Sequence, residues 1–163
     1  MTNLIILNEI NEMKLTYKGD YALKAILDLC LHSQKGQVVP LTDIARRQDI
    51  PVPFLEQIML ILKKAGYVQS KAGKGGGFLL LKSPEHVTLG EIIRLIEGPV
   101  EPIACGVREG SSGCAEEGRC AFQEVWVQVT EAVSGIVDTV TFAGIMRRTR
   151  ELQERQTDPI YHI

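Results

Sequence analysis

From Thr16 to Val140 the apolar residues fall mostly at a spacing near 3.6, the period of helices with one buried face. Thr16 caps a first helix whose stripe is Ala22, Ala25, Ile26, Leu29 and Cys30, and Lys35-Gly36-Gln37 ends it. Leu41 to Arg47 reads as a short helix with Ile44 and Ala45 inward, followed by the turn Gln48-Asp49-Ile50-Pro51. Pro53 suits the first position of a third helix, whose stripe is Leu55, Ile58, Met59 and Leu62 and whose terminator is Gly66. Two short helices joined by a tight turn predict a helix-turn-helix. The period then changes. Tyr67–Lys71 and Phe78–Lys82 read as strands around the tip Ala72-Gly73-Lys74-Gly75-Gly76-Gly77, a β-hairpin that makes a wing. Thr88-Leu89-Gly90-Glu91 is a capping box that opens a helix Leu89–Glu97, stopped by Gly98-Pro99.

Residues 99–119 form a loop rich in glycine and glutamate. A longer helical pattern starts near Cys120, with Phe122, Val125, Trp126, Val129, Val133, Ile136, Val137 and Val140 on one stripe. Thr141-Phe142-Ala143-Gly144 breaks it ahead of a last helix, Ile145 to Gln153. Residues 1–12 show no period and are expected to be a disordered extension, and residues 157–163 a frayed tail. The expected fold is therefore mainly α, with a winged helix over residues 13–98, the 99–119 loop, and C-terminal helices over 120–156.

The chain has 163 residues and a formal charge of −2, so nucleic-acid binding has to rest on a local patch. Such a patch exists. Leu62 to Lys82 holds Lys63, Lys64, Lys71, Lys74 and Lys82 and no carboxylate, whereas Glu97 to Glu124 holds six glutamates against Arg108 and Arg119. The lysines fall on the end of the third helix and on the wing, surfaces that face phosphates and grooves in winged helices. Alone, a lysine cluster reads more often as a solvated face; its placement on a helix-turn-helix and wing turns the reading toward binding. The glycine tip is no phosphate loop, because no Lys-Ser or Lys-Thr follows it. No apolar run approaches the roughly 20 residues that span a bilayer, and the start lacks a signal-peptide pattern, so a cytoplasmic protein is expected. No catalytic acid–base pair, nucleophile triad or nucleotide fingerprint is present, which argues against an enzyme.

Cys105, Cys114 and Cys120 lie within sixteen residues as C-x8-C-x5-C, without the C-x-x-C of zinc ribbons. The spacing leaves an iron–sulfur cluster, zinc, a thiol redox switch and no role all open. Cys120 stands at a helix start, where the dipole favours thiolate, and Arg108 and Arg119 would offset a cluster's negative charge. Three cysteines would leave one position of a cluster to another ligand. Cys30 lies on an apolar stripe and reads as a small buried hydrophobe.

Met13-Lys14-Leu15-Thr16-Tyr17-Lys18-Gly19-Asp20-Tyr21-Ala22-Leu23, Leu55-Glu56-Gln57, Gly75-Gly76-Gly77-Phe78-Leu79-Leu80, Ile96-Glu97-Gly98-Pro99, the three cysteines and Trp126 together resemble the Rrf2 family of bacterial regulators, with its IscR-like and NsrR-like branches. The resemblance spans about residues 13–150. It implies a homodimeric winged-helix regulator on double-stranded promoter DNA, joined through the Val125–Val140 stripe, although periodicity alone allows that stripe to be core. It also implies an iron–sulfur cluster, four-iron or two-iron, on Cys105, Cys114 and Cys120. The IscR-like branch carries a histidine three residues after the third cysteine, where this chain has Gln123. The NsrR-like branch uses an aspartate from the other subunit's first helix, which makes Asp20 the expected fourth ligand; as a bland alternative, Asp20 is a carboxylate stabilised by a helix N-terminus. The surface implied to meet DNA takes in Lys18, Tyr21, Thr42, Pro53, Phe54, Glu56, Gln57, Lys63, Lys64, Lys71, Lys74 and Gly75. Pro53-Phe54 replaces the Ser-Tyr of some members, and Lys71-Ala72 an arginine before the wing glycines, so the target sequence does not carry over. The expected function is a repressor that senses redox state, nitric oxide or iron–sulfur supply; the alternative is the same scaffold with its cysteines as a thiol switch.

Overall fold

Threonine side chains cap three of the described helices, at Thr16, Thr88 and Thr141. In the computed structural model, which describes residues 15–33, 36–100 and 119–157, Thr16 accepts a hydrogen bond from the Gly19 amide and starts α1, Tyr17–His32. Ala22, Ala25, Ile26 and Leu29 are wholly buried on one face. The two alanines let neighbouring helices approach closely, while Ile26 and Leu29 each remove enough apolar area to stabilise the core by about 1.5–3 kcal/mol. Helix α2, Leu41–Gln48, buries Ile44 and Ala45, and α3, Val52–Lys64, buries Leu55, Ile58, Met59 and Leu62. Between them Asp49 takes a left-handed conformation, φ 52°, which sharpens the turn.

After α3, Gly66 at φ 76° takes the left-handed position that ends a helix, as its place in the sequence predicts. Strands β1, Val68–Lys71, and β2, Gly77–Leu80, then pair antiparallel, with Val68 opposite Leu80 and Lys71 opposite Gly77. Val39 adds a bridge to Phe78, with amide-to-carbonyl bonds of 2.8 Å in both directions, and so ties the wing to the segment before α2. A Cβ at Gly77 would strike the Val39 carbonyl, so this close approach needs glycine. A 3-10 turn, Pro84–His86, leads to α4, Leu89–Glu97, whose predicted bounds and capping box both hold.

Helix α5 runs Ala121–Val137, and α6 runs Phe142–Thr157. Several boundaries differ from expectation: α6 ends at Thr157 rather than Gln153, α2 at Gln48 rather than Arg47, β1 starts at Val68 rather than Tyr67, and β2 runs Gly77–Leu80 rather than Phe78–Lys82. The stripe residue Val140 lies beyond α5, in the turn. Thr141 does not interrupt helical structure ahead of Ile145: its hydroxyl accepts from the Gly144 amide and starts α6 three residues earlier, with Phe142 buried to 1% exposure as the anchor of the new helix. Pro53 sits second rather than first in α3, because Pro51 occupies the cap.

The described chain divides into two compact units, Leu15–Gly98 with Val137 onward, and Pro99–Ile136. In the first, α1 packs against α2, α3, α4 and α6. Thr88 bridges Thr141, with the Leu89 amide on the Val140 carbonyl and the Phe142 amide on the Val87 carbonyl, each 2.9 Å. Arg94 holds Asp138 through two hydrogen bonds beside Gly90. In the second unit, no residue of α5 is buried. The 1–12 extension, Cys105, Cys114 and the rest of segment 101–118, and the tail after Thr157 lie outside the described residues.

Candidate DNA-reading face and cysteine site

Burial sorts the side chains of α3 into two faces. Leu55 and Ile58 are wholly buried, while Pro53, Phe54, Glu56, Gln57, Lys63 and Lys64 are exposed. The inward residues dock the helix on α1, and the outward ones are presented as a set. Pro53 and Phe54 stand at its start, and Lys63 and Lys64 in its last turn. Lys71, Lys74 and Gly75 are exposed on the wing, as is Thr42 in the first turn of α2. Lys82, the remaining lysine of the basic stretch, lies with its Nζ 3.9 Å from the centre of the Tyr67 ring.

The first turn of α1 adds to this surface. Tyr17, Lys18 and Tyr21 line a cleft of about 290 Å³ together with Phe54 and Gln57 of α3. Tyr17, 80% exposed, was not among the expected contacts; its i, i+4 spacing from Tyr21, with ring centres 6.1 Å apart, is the signal that could have found it.

A buried ion pair fixes α2 on α1. Asp28 is wholly buried and receives Arg47 Nη2 at 2.7 Å, Arg47 Nε at 2.9 Å and Gln48 Nε2 at 3.0 Å. Burial alone would push its carboxyl up. The hydrogen bonds from Arg47 and Gln48, with the charges of Arg47 and His32, outweigh burial and hold it below the usual carboxylate range. Its hydrogen-bonding side-chain partners lie nineteen and twenty residues away, and only His32, four residues on, is a local neighbour.

A second contact joins α1 to the end of α4. Glu97 Oε1 accepts from the Thr16 amide at 3.1 Å and from the Thr16 hydroxyl at 2.6 Å. Glu97 is the last residue of α4, and Thr16 is the cap of α1. A side chain at Gly19 would strike this carboxylate.

Of the expected ligands, Cys120 and Asp20 are described. Cys120 immediately precedes α5, and its carbonyl accepts from the Gln123 amide at 3.1 Å. Its partly exposed thiol borders a cleft of about 680 Å³ that Arg119, Gln123, Glu124 and Val127 also line. Cys30 is the opposite case: burial pushes its thiol up to about 12, so it stays protonated and inert, as its stripe position predicts. Asp20 lies in the first turn of α1 and pairs with Lys24 at 2.6 Å, both side chains about two-fifths exposed. The described residues contain no cluster of three metal-ligating side chains.

Residues 15–148 match the family described as Rrf2, iron-dependent transcriptional regulator. The chain belongs to the Rrf2 family. This Rrf2 regulator is 40% identical over 134 residues to the HTH-type transcriptional regulator IscR of Serratia proteamaculans, which covers 82% of the chain and 79% of the relative. The IscR of Yersinia pseudotuberculosis is 37% identical over 148 residues, or 90% and 88% of the two chains. Among solved structures, CymR, the global cysteine regulator of B. subtilis, superposes with a TM-score of 0.70 at 30% identity, covering 83% of this chain and 97% of that one. T. potens IscR gives 0.69 at 31%, covering 86% and 90%. The protein is thus a winged-helix, DNA-binding transcriptional regulator of IscR type, not an enzyme. No described helix is long and apolar enough to cross a membrane.

Proposed function

We propose that this Rrf2 regulator is a homodimeric, cytoplasmic repressor whose promoter affinity is set by an iron–sulfur cluster on Cys105, Cys114 and Cys120. The observation that carries the reading is the contrast between two thiols. Cys30 is sealed in the core, while Cys120 is partly exposed at the edge of a cleft, at the start of a helix and next to Arg119. That donor fits a cluster: a sulfur ligand at a positive helix end, with a cation to offset anionic charge. When bound, the cluster supplies a centre whose loss or change of oxidation state reports redox conditions, nitric oxide or iron supply.

Gln123 stands where the IscR-like branch has its histidine, so the fourth position falls to another group. Asp20 of the partner subunit is our candidate, and to serve, its carboxylate must leave Lys24. The exposed apolar side chains of α5 supply the subunit contact. On DNA, α3 enters the major groove with Pro53, Phe54, Glu56 and Gln57 at base edges. Lys18, Lys63, Lys64, Lys71 and Lys74 meet phosphates, with Tyr21, Thr42 and the backbone at Gly75 beside them. Glu97 is our candidate link between the cysteine segment and this face. It stands two residues before the loop and holds the cap of the helix that carries Tyr17 and Lys18.

Anaerobic purification with iron and sulfide counting tests the cluster. A visible chromophore that Cys114→Ala abolishes, leaving a folded dimer, is the expected result. Full iron content in that variant removes Cys114 from the ligand set. Equal promoter affinity of loaded and apo protein removes the switch. A thiol switch on the same scaffold is the second reading, favoured by the structural likeness to CymR, described as the global cysteine regulator of B. subtilis and also solved in an oxidised form for Staphylococcus aureus. Colourless anaerobic protein whose DNA affinity responds to thiol oxidation would select it.

A further inference from the structure

Phe54 is 56% exposed, while Leu55 beside it is wholly buried. The fold therefore does not use this ring, although exposing it costs apolar hydration. Gln57 follows three residues later, so both side chains project from the same side of α3. They border one cleft, whose other described walls are Tyr17, Lys18 and Tyr21. The described lining thus offers three aromatic rings, one amide and one cation, and no carboxylate.

We propose that this cleft reads an A·T pair in the major groove, with Phe54 against the thymine methyl and Gln57 on the adenine. The assignment rests on α3 being the recognition helix, and goes beyond it by naming the base pair and its readers. An A·T pair is the one whose major-groove edge combines an apolar methyl with an adjacent N7 acceptor and N6 donor. A phenyl ring has no polar atom to spend on a base and suits only the methyl. A glutamine amide, with one acceptor and two donors, matches adenine N6 and N7. Lys18, exposed at the rim, meets a neighbouring phosphate and sets the depth of entry. The cleft is continuous with the exposed face of α3, which argues for DNA over a protein partner.

Full-length protein enriches its own duplex from a randomised pool. Each thymine of that duplex is then replaced singly by deoxyuridine, which removes only the methyl, and each adenine by 7-deazaadenine, which removes N7. At one thymine per half-site, deoxyuridine weakens binding about three- to fivefold, the worth of one buried methyl. Phe54→Ala binds the parent duplex correspondingly less well and no longer distinguishes deoxyuridine there. Gln57→Ala loses its response to 7-deazaadenine at the same pair. Because both residues are exposed, unchanged melting curves are expected and separate a reading defect from misfolding. The proposal is overturned if no thymine in the enriched duplex responds, or if Phe54→Ala keeps the wild-type response. It is equally overturned if Phe54→Ala binds DNA normally while losing a protein partner. Failure to enrich any duplex would instead strike the DNA-reading role of α3 and take this assignment with it.

Discussion

Helices α1 and α5 are nearly equal in length, sixteen and seventeen residues, and both carry an apolar stripe, yet α1 buries seven residues and α5 none. The stripe of α1 mixes alanines with Ile26 and Leu29 and is covered by four other helices of its own chain. That of α5 is aromatic and β-branched, and leaves Phe122 73%, Val125 53% and Ile136 65% exposed. Periodicity therefore locates an apolar face without saying which surface covers it. An exposed face of large side chains marks an interaction site, whereas the small residues of α1 suit close intramolecular packing.

The largest effect is expected at the polar heart of the α1 face. Asp28→Ala leaves the Arg47 guanidinium and Gln48 amide without their acceptor, and a loss of about 3–5 kcal/mol is expected from equilibrium denaturation. Asp28 also makes the winged helix acid-sensitive. Its carboxyl is lowered in the folded protein, so its stabilisation is complete above the ordinary aspartate range, near pH ~3.9. It is lost as pH falls through the lower folded value. Asp28→Asn should flatten stability against pH below that range. An unchanged acid limb would mean that the pair does not anchor α1.

A smaller effect is expected where α1 begins. Glu97→Ala removes the acceptor for the Thr16 amide and hydroxyl, at a cost of about 1 kcal/mol, as for a lost cap contact. Its second consequence is the more informative. If Glu97 carries the state of the cysteine loop to α1, the variant narrows the difference in promoter affinity between cluster-loaded and apo protein while keeping its iron. A variant with the full difference would confine Glu97 to capping.

The comparison also separates what the chain's pattern could reveal from what it could not. Local signals were readable: the capping box of α4, the glycine after α3 and the hairpin wing each need only neighbouring residues. The start of α6 was misread because Thr141-Phe142-Ala143-Gly144 looks like a break. Thr141 is in fact a cap, and Phe142 is the core residue that docks the helix. The hydrogen bonds of Asp28 to Arg47 and Gln48 and of Glu97 to Thr16 leave no local signature, because these partners are distant in sequence, Thr16 being 81 residues from Glu97. The outward set on α3 and the wing was legible, since helical phase divides exposed from buried residues. The place of Tyr17 in the cleft it shares with Phe54 and Gln57 was not, because it depends on α1 lying beside α3. The cysteine spacing leaves metal and thiol readings both open, and Cys105 and Cys114 lie outside the described residues.

The smallest effect on the fold is expected on the uncovered helix, and there it discriminates most. Val125→Glu places a charge on a side chain already half exposed, so the fold should lose no more than about 0.5 kcal/mol. Assembly should fail instead, because a charge would be buried without a partner against the second copy. If α5 is the subunit contact, sedimentation at micromolar concentration should find a dimer for the wild-type chain and a monomer for the variant. Mass action makes the melting temperature of the wild type rise with protein concentration, and that of the variant should not. Leu29→Ala on α1 gives the mirror image, about 2–5 kcal/mol of lost stability with α5 assembly intact in whatever fraction remains folded. Were Val125→Glu to remain dimeric with a lowered melting temperature, the α5 stripe would be an intramolecular core face, and the contrast with α1 would vanish.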